Sequence, residues 1–234
     1  MTLGTYHFLG ETLRPICAVF WISTYVLIIR RGTKDRIPAM PLAAFALNIC
    51  WEGIFSFLYM PTDPRVFVAW SSCFLLDVAI FVQVYRFGRT DFTFPSVRKH
   101  WSAIVGLSLA SAFVVLMGFT AQFGDTLGWF TGFLQNLLMS VLFVAMIIRR
   151  DSVAGQSLYI ALGKFLGTFV AFLLAIHWSP AFGTAVVDHV LRAPTPMPPL
   201  VYWIYPLIFF FDVLYIVLVY KKSRAQGINP WRRL

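Results

Sequence analysis

The sequence predicts an all-α fold, a polytopic membrane protein built as a bundle of seven transmembrane helices. Three observations carry this. Hydrophobic residues make up 59% of the 234-residue chain and charged residues only 12%, and the mean hydropathy is +0.75, too apolar for a soluble domain. The apolar runs are continuous and roughly 20 residues long, the length of a helix crossing a bilayer, and they lack the strand alternation of a β-barrel. The basic residues gather in alternate loops. Arg30, Arg31, Lys34 and Arg36 follow the first run, and Arg86, Arg89, Arg98 and Lys99 the third. Arg149 and Arg150 follow the fifth, and Lys221, Lys222, Arg224, Arg232 and Arg233 the seventh. These fifteen stand against Arg14, Arg65 and Arg192 on the other side, which by the positive-inside rule places the N-terminus outside and the C-terminus in the cytoplasm. The net charge of +9 is thereby a topology signal, and no nucleic-acid partner is expected.

The seven runs cover residues 8–29, 41–60, 66–87, 101–122, 127–148, 157–178 and 200–220. The first carries Glu11 and Arg14 in its opening turns, spaced to pair at i, i+3. It has no basic n-region before it and no small-residue cleavage site after it, so it reads as a retained helix. Pro38 and Pro41 precede the second, Pro61 and Pro64 make the turn into the third, and Gly124 to Gly128 link the fourth and fifth. Ser179 to Pro199, with five prolines, is too long for a bare turn and is expected to form a lid over the external mouth. Pro206 lies inside the seventh helix, where it removes a backbone donor and favours a kink. No internal repeat is visible. Cys17, Cys50 and Cys73 all fall in apolar runs without a CxxC pair or a histidine partner and are expected to be structural thiols.

Seven of the ten acidic residues are terminal or in loops, leaving Glu52, Asp77 and Asp212 inside the second, third and seventh helices. At roughly 1.5 Å rise per residue all three sit near the bilayer midplane. An ionised carboxylate is expensive at that depth, so Glu52 is expected to hold a proton and to be an acid in search of a base. Asn48, four residues before Glu52, shares its helical face and is placed to orient it.

The faces around the acids are aromatic. Phe55 and Tyr59 follow Glu52, Trp70 shares a face with Asp77, and Tyr205, Phe209 and Tyr215 flank Asp212. Aromatic faces stabilise positive charge without trapping it, which suits a greasy substrate that becomes cationic. Gln135 and Asn136 in the fifth helix are expected to contact a neighbouring helix, His177 to sit at the interface, and Lys164 to snorkel to the cytoplasmic surface.

The patterns Asn48-x-x-Trp51-Glu52 in the second helix and Phe211-Asp212-x-x-Tyr215 in the seventh resemble those of the small seven-helix terpene cyclases of meroterpenoid and indole-terpenoid biosynthesis, the paxilline-type cyclase family. The resemblance covers the chain in length and topology. It implies a single cyclase domain over residues 1–234, in a bacterial inner membrane or the endoplasmic reticulum. It further implies that Glu52 and Asp212 are the catalytic acids. They would protonate the terminal epoxide or alkene of a prenyl chain, farnesyl or longer, on an aromatic or indole head. Asp77 is carried over as a pocket residue. Asn48, Trp51, Phe55, Tyr59, Trp70, Tyr205, Phe209 and Tyr215 complete the expected substrate-binding set.

No DDxxD or DxDD run occurs, so diphosphate ionisation by magnesium has no carrier in the sequence, and neither a metal nor a cofactor is expected. The expected partners are a prenylated hydrophobic substrate and the lipid bilayer, with the oligomeric state left open. A retinal protein would need a lysine in the seventh helix, and residues 202–220 contain none. The alternative reading is a proton-coupled small-molecule transporter, which would also place acids at the midplane. The missing repeat and the dense aromatics around the acids weigh against it, as three buried acids weigh against an inert scaffold.

Overall fold

The computed structural model describes residues 3–178 and 200–234, with side chains omitted for residues 3–9, 176–178, 201 and 202. The lid expected over 179–199 and the side chain of His177 therefore lie outside the described residues. The described chain is helical throughout, with α1 (Leu3–Asp35), α2 (Leu42–Gly53), α3 (Pro64–Gly88), α4 (Pro95–Lys99), α5 (Trp101–Phe123), α6 (Trp129–Arg150), α7 (Leu158–Trp178) and α8 (Leu200–Ala225). A π-helical turn, Ile54–Leu58, continues α2, and short 3-10 turns follow α3 and α8.

Six of these helices are long and apolar enough to cross a membrane, and Leu42–Leu58 is a shorter apolar helix. The protein is a polytopic membrane bundle. Its outer surface carries the large apolar side chains that lipid requires, such as Leu75, Val78 and Val82 on α3 and Leu207 and Phe210 on α8. The seven predicted runs correspond to α1, α2 with its π turn, α3, α5, α6, α7 and α8. The small helix α4, begun by Pro95, was not anticipated, and α1 runs longer than its apolar stretch.

Local chemistry sets the boundaries. Pro41 is extended ahead of α2. Asp63 caps α3 by accepting a hydrogen bond from the Arg65 backbone at 2.9 Å, with Pro64 in the first turn. Gly124 ends α5 in the left-handed region at φ +61°. The predicted Glu11–Arg14 pair is present at 3.1 Å and joins Arg65 and Asp63 in a charged clasp at the α1–α3 end.

The helices close into a ring. α1 packs on α3 and α7, α3 on α2, α2 on α6, α6 on α8, and α8 on α7, while α5 lies outside against α2. The α1–α7 contact is the tightest seam, because Gly163 and Gly167 form a small-residue stripe on α7. A Cβ at Gly163 would stand 2.4 Å from Thr24 Oγ1, and one at Gly167 3.0 Å from Trp21 Nε1. Buried polar side chains come from every helix of the ring, and two clusters of them stand on opposite arcs.

Candidate active site

The first group sits where α1, α2 and α3 meet. Asn48 and Glu52 are one turn apart on the buried face of α2, and Asp77 faces them from α3. The Asn48 amide donates to Asp77 Oδ2 at 2.7 Å and to the Tyr25 hydroxyl at 2.6 Å. Tyr25, from α1, donates in turn to Glu52 Oε1 at 3.1 Å. All four side chains are buried, Asp77 completely. No cation pairs with Glu52 or Asp77 among the described residues, and Glu52 Oε2 and Asp77 Oδ1 have no hydrogen-bond partner. The two carboxyls are therefore bridged by neutral hydrogen-bonding groups, Tyr25 and Asn48.

Aromatic rings cluster on the residues that flank Glu52 along the chain and on α3. Immediately after Glu52 the helix widens into the π turn, closed by Tyr59 N donating to Ile54 O at 2.9 Å. The turn rotates Phe55 and Ser56 into the core, and π turns of this kind concentrate at functional sites. The Phe55 ring lies 5.1 Å from Trp51, 5.6 Å from Tyr59 and 6.5 Å from Trp70, and Trp51 lies 5.5 Å from Trp70. Trp51 is pinned from α6: its indole N–H donates to Thr131 Oγ1 at 3.2 Å, and Thr131 donates to the buried Asp125 carboxylate at 2.8 Å. Gly128, at φ +73°, leaves the room these rings need, since a Cβ there would lie 2.9 Å from Trp51.

The second group sits on the opposite arc and is organised by a cation. Lys164 does not snorkel. Its ammonium is buried in the bundle and donates to Asp212 Oδ1 at 2.7 Å, Ser140 Oγ at 2.7 Å and Asn136 Oδ1 at 2.9 Å. Three acceptors match the three donors of an ammonium, so the side chain gains more from α6 and α8 than from reaching water. Asn136 also donates to Thr168 Oγ1 at 2.9 Å, the interhelical contact expected of it. Asp212 Oδ2 and Gln135 Oε1 are buried without a partner.

The predicted residues thus divide. Asn48, Trp51, Glu52, Phe55, Tyr59, Trp70 and Asp77 assemble on one arc. Tyr205, Phe209, Asp212 and Tyr215 lie on the other, and no hydrogen bond joins Glu52 to Asp212. Tyr205 packs against Phe172 at 4.5 Å and Phe133 at 4.6 Å, and Phe209 against Phe172 at 5.4 Å. Tyr215 is buried and its hydroxyl donates to Gln156 Oε1. Two open clefts, of about 290 Å³ beside α7 and α8 and about 330 Å³ at the basic end of α3, are bordered by none of the three midplane acids. The sequence reading missed Tyr25, which had no signal beyond one hydroxyl in an apolar run, and the role of Lys164, which the need of Asp212 for a counter-ion could have revealed.

The family model of the Pyr4-like transmembrane terpene cyclases matches residues 4–225. The chain belongs to this family of Pyr4-like transmembrane terpene cyclases. Terpene cyclase macJ of Penicillium terrestre is 28% identical over 181 residues, which is 73% of this chain and 69% of that protein. Terpene cyclase terB of Tolypocladium album is 26% identical over 96% of this chain and 91% of its own. Asnovolin H synthase nvfL of Aspergillus novofumigatus is 23% identical over 98% and 92%. No solved structure matches the chain. The protein is a multi-pass membrane enzyme that cyclises terpenoids, with a hydrophobic substrate and a lipid environment.

For a terpenoid cyclase the two arcs offer complementary chemistry. Glu52 and Asp212 each have one oxygen held by a neighbour, Tyr25 or Lys164, and one left free. One free oxygen belongs to a group without a cation and the other to an ion pair.

Proposed function

We propose that this cyclase starts its reaction by proton transfer from a buried carboxylic acid to the end of a prenyl chain, farnesyl or longer, carried on an aromatic or indole head. No diphosphate is ionised. Glu52 delivers the proton to a terminal epoxide oxygen or alkene carbon, the polyene closes ring by ring, and a proton is lost at the end, so that product and substrate are isomers. Asp212 is the second catalytic carboxyl, Asp77 and Asn48 support the acid, and Trp51, Phe55, Tyr59, Trp70, Tyr205, Phe209 and Tyr215 shape the chain. The chain crosses the membrane seven times, α2 with its π turn being the shortest crossing, with the N-terminus outside and the basic loops in the cytoplasm.

One observation carries this reading: Glu52 Oε2 is buried, has no partner, and belongs to a carboxyl that no cation neutralises, beside the Trp51–Phe55–Trp70 wall. General-acid help of this kind contributes typically about 10²- to 10⁴-fold, and the rest comes from folding the substrate and excluding water. The test incubates membranes carrying the wild type, Glu52→Gln or Asp212→Asn with a farnesylated indole or phenol, with and without a terminal epoxide. A cyclised product of unchanged mass from the wild type, lost in both variants while they still insert, supports the reading. Equal turnover by the amide variants would overturn it.

A further inference from the structure

We propose that Lys164 is a positioning residue that holds Asp212 as a standing carboxylate, so that Glu52 gives the proton and Asp212 serves as counter-charge and final proton acceptor. This rests on the proton-initiated reading above and divides its two carboxyls between two jobs.

The geometry singles out a cation at this point. The Lys164 ammonium spends its three donors on Asp212, Ser140 and Asn136. Its partners are themselves committed: the Asn136 amide donates to Thr168, and the Ser140 hydroxyl donates to the Asn136 carbonyl at 2.8 Å. Both therefore present lone pairs to Lys164, and an uncharged side chain there would leave several buried acceptors unmet. Few other charges compete. On α8 itself Tyr215 is committed to Gln156. On α6 the nearest titratable groups, Arg149 and Arg150, are bound to Asp91 at the basic end. On α7 the hydroxyl of Tyr159 donates to the Trp231 carbonyl. The second oxygen of Asp212 is buried and unpartnered. The Glu52 group has the same free oxygen and no cation.

The steps balance without any co-reactant. The proton leaves Glu52 Oε2 and bonds to the substrate. At an epoxide an oxygen lone pair takes the proton and the breaking C–O pair stays on that oxygen, leaving a hydroxyl and a carbocation; at an alkene the π pair becomes the new C–H bond and leaves a carbocation. Each following alkene gives its π pair to the cation and closes a ring. Finally the C–H pair beside the last cation becomes a C=C bond, and its proton goes to Asp212 Oδ2. Glu52 has lost one proton and Asp212 has gained one, and exchange with solvent after product release restores both.

The first test needs no substrate. Infrared difference spectra of the detergent-solubilised full chain, wild type minus Asp212→Asn, are expected to contain the carboxylate stretching bands of Asp212. The same comparison in a Lys164→Gln background should contain the carbonyl band of a protonated acid instead. A protonated-acid band in the wild type overturns the proposal. The second test is turnover. Lys164→Gln, which removes the charge, should fall at least about tenfold and shift its products toward incompletely cyclised isomers, because the cation has lost its counter-charge. Lys164→Arg should recover most of the rate and the product pattern. Wild-type rate and products in Lys164→Gln also overturn the proposal. If the wild type converts neither substrate, the cyclisation reading fails, and the infrared comparison still decides the state of Asp212.

Discussion

The arc formed by α1, α2 and α3 and the arc formed by α6, α7 and α8 each bury a carboxyl inside the bundle, yet they treat it differently. On the first, Glu52 and Asp77 are joined through Tyr25 and Asn48, all hydrogen-bonding groups without positive charge. On the second, Asp212 is bound by an ammonium with two further acceptors of its own. A carboxyl's depth is thus a poor guide to its chemistry, because its neighbours decide whether charge is tolerated there. The comparison also separates support from reactivity, since in both groups one oxygen is held and its twin is left free.

The largest expected effect tests the free oxygen on the first arc. Glu52→Gln keeps an acceptor for the Tyr25 hydroxyl but has no acidic proton, so turnover should fall by about 10²- to 10⁴-fold, measured as isomer formed per unit of inserted protein. Retained turnover would erase the distinction between the arcs. Next comes the ion pair. Lys164→Met leaves Asp212 buried without its cation and should cost about 3–5 kcal/mol of stability, read from thermal unfolding in detergent. Combining it with Asp212→Leu should restore much of that loss, because no uncompensated group then remains. A smaller effect is expected at Tyr25→Phe, which takes the only donor from Glu52 Oε1. It should weaken stability by about 1–3 kcal/mol and lower turnover while leaving KM within a few-fold. An unchanged rate would show that the Glu52 orientation is set by α2 alone.

The smallest effect lies at the charged clasp outside both arcs. The Arg65 hydrogen bond holds the Asp63 carboxyl below its ordinary value. Its contribution is present above the ordinary carboxylate range and is lost as pH falls through the lowered value. Because both side chains are solvent-accessible, Asp63→Asn should cost no more than about 1 kcal/mol, seen as a small drop in unfolding temperature at neutral pH that vanishes in strong acid. A loss as large as that of Lys164→Met would mean that buried and exposed pairs are equivalent here, against the premise of the comparison.

Much of this was written in local pattern. Apolar run length located every long helix, the Pro61–Pro64 and Gly124–Gly128 turns fell where the chain turns, and the Asn48–Glu52 spacing put both on one buried face. The π turn was not legible, because widening a helix by one residue after Glu52 answers to how Phe55 packs against Gly128 at the start of α6, a contact made by another part of the chain. Tyr25 was hidden for the same reason.

Lys164 marks the boundary most clearly. Taken singly it lies close enough to a helix end for its long stem to reach water, and the sequence argues for that. Only the ring of helices, drawn tight along the Gly163–Gly167 seam, brings Asn136, Ser140 and Asp212 around its ammonium. By itself the sequence determined the long apolar helices, the burial of the three acids and the resemblance to a cyclase, because those depend on period and composition along one chain. The tertiary structure alone decided which acid meets a cation, because that depends on which helices are neighbours, a matter of packing that no single segment encodes.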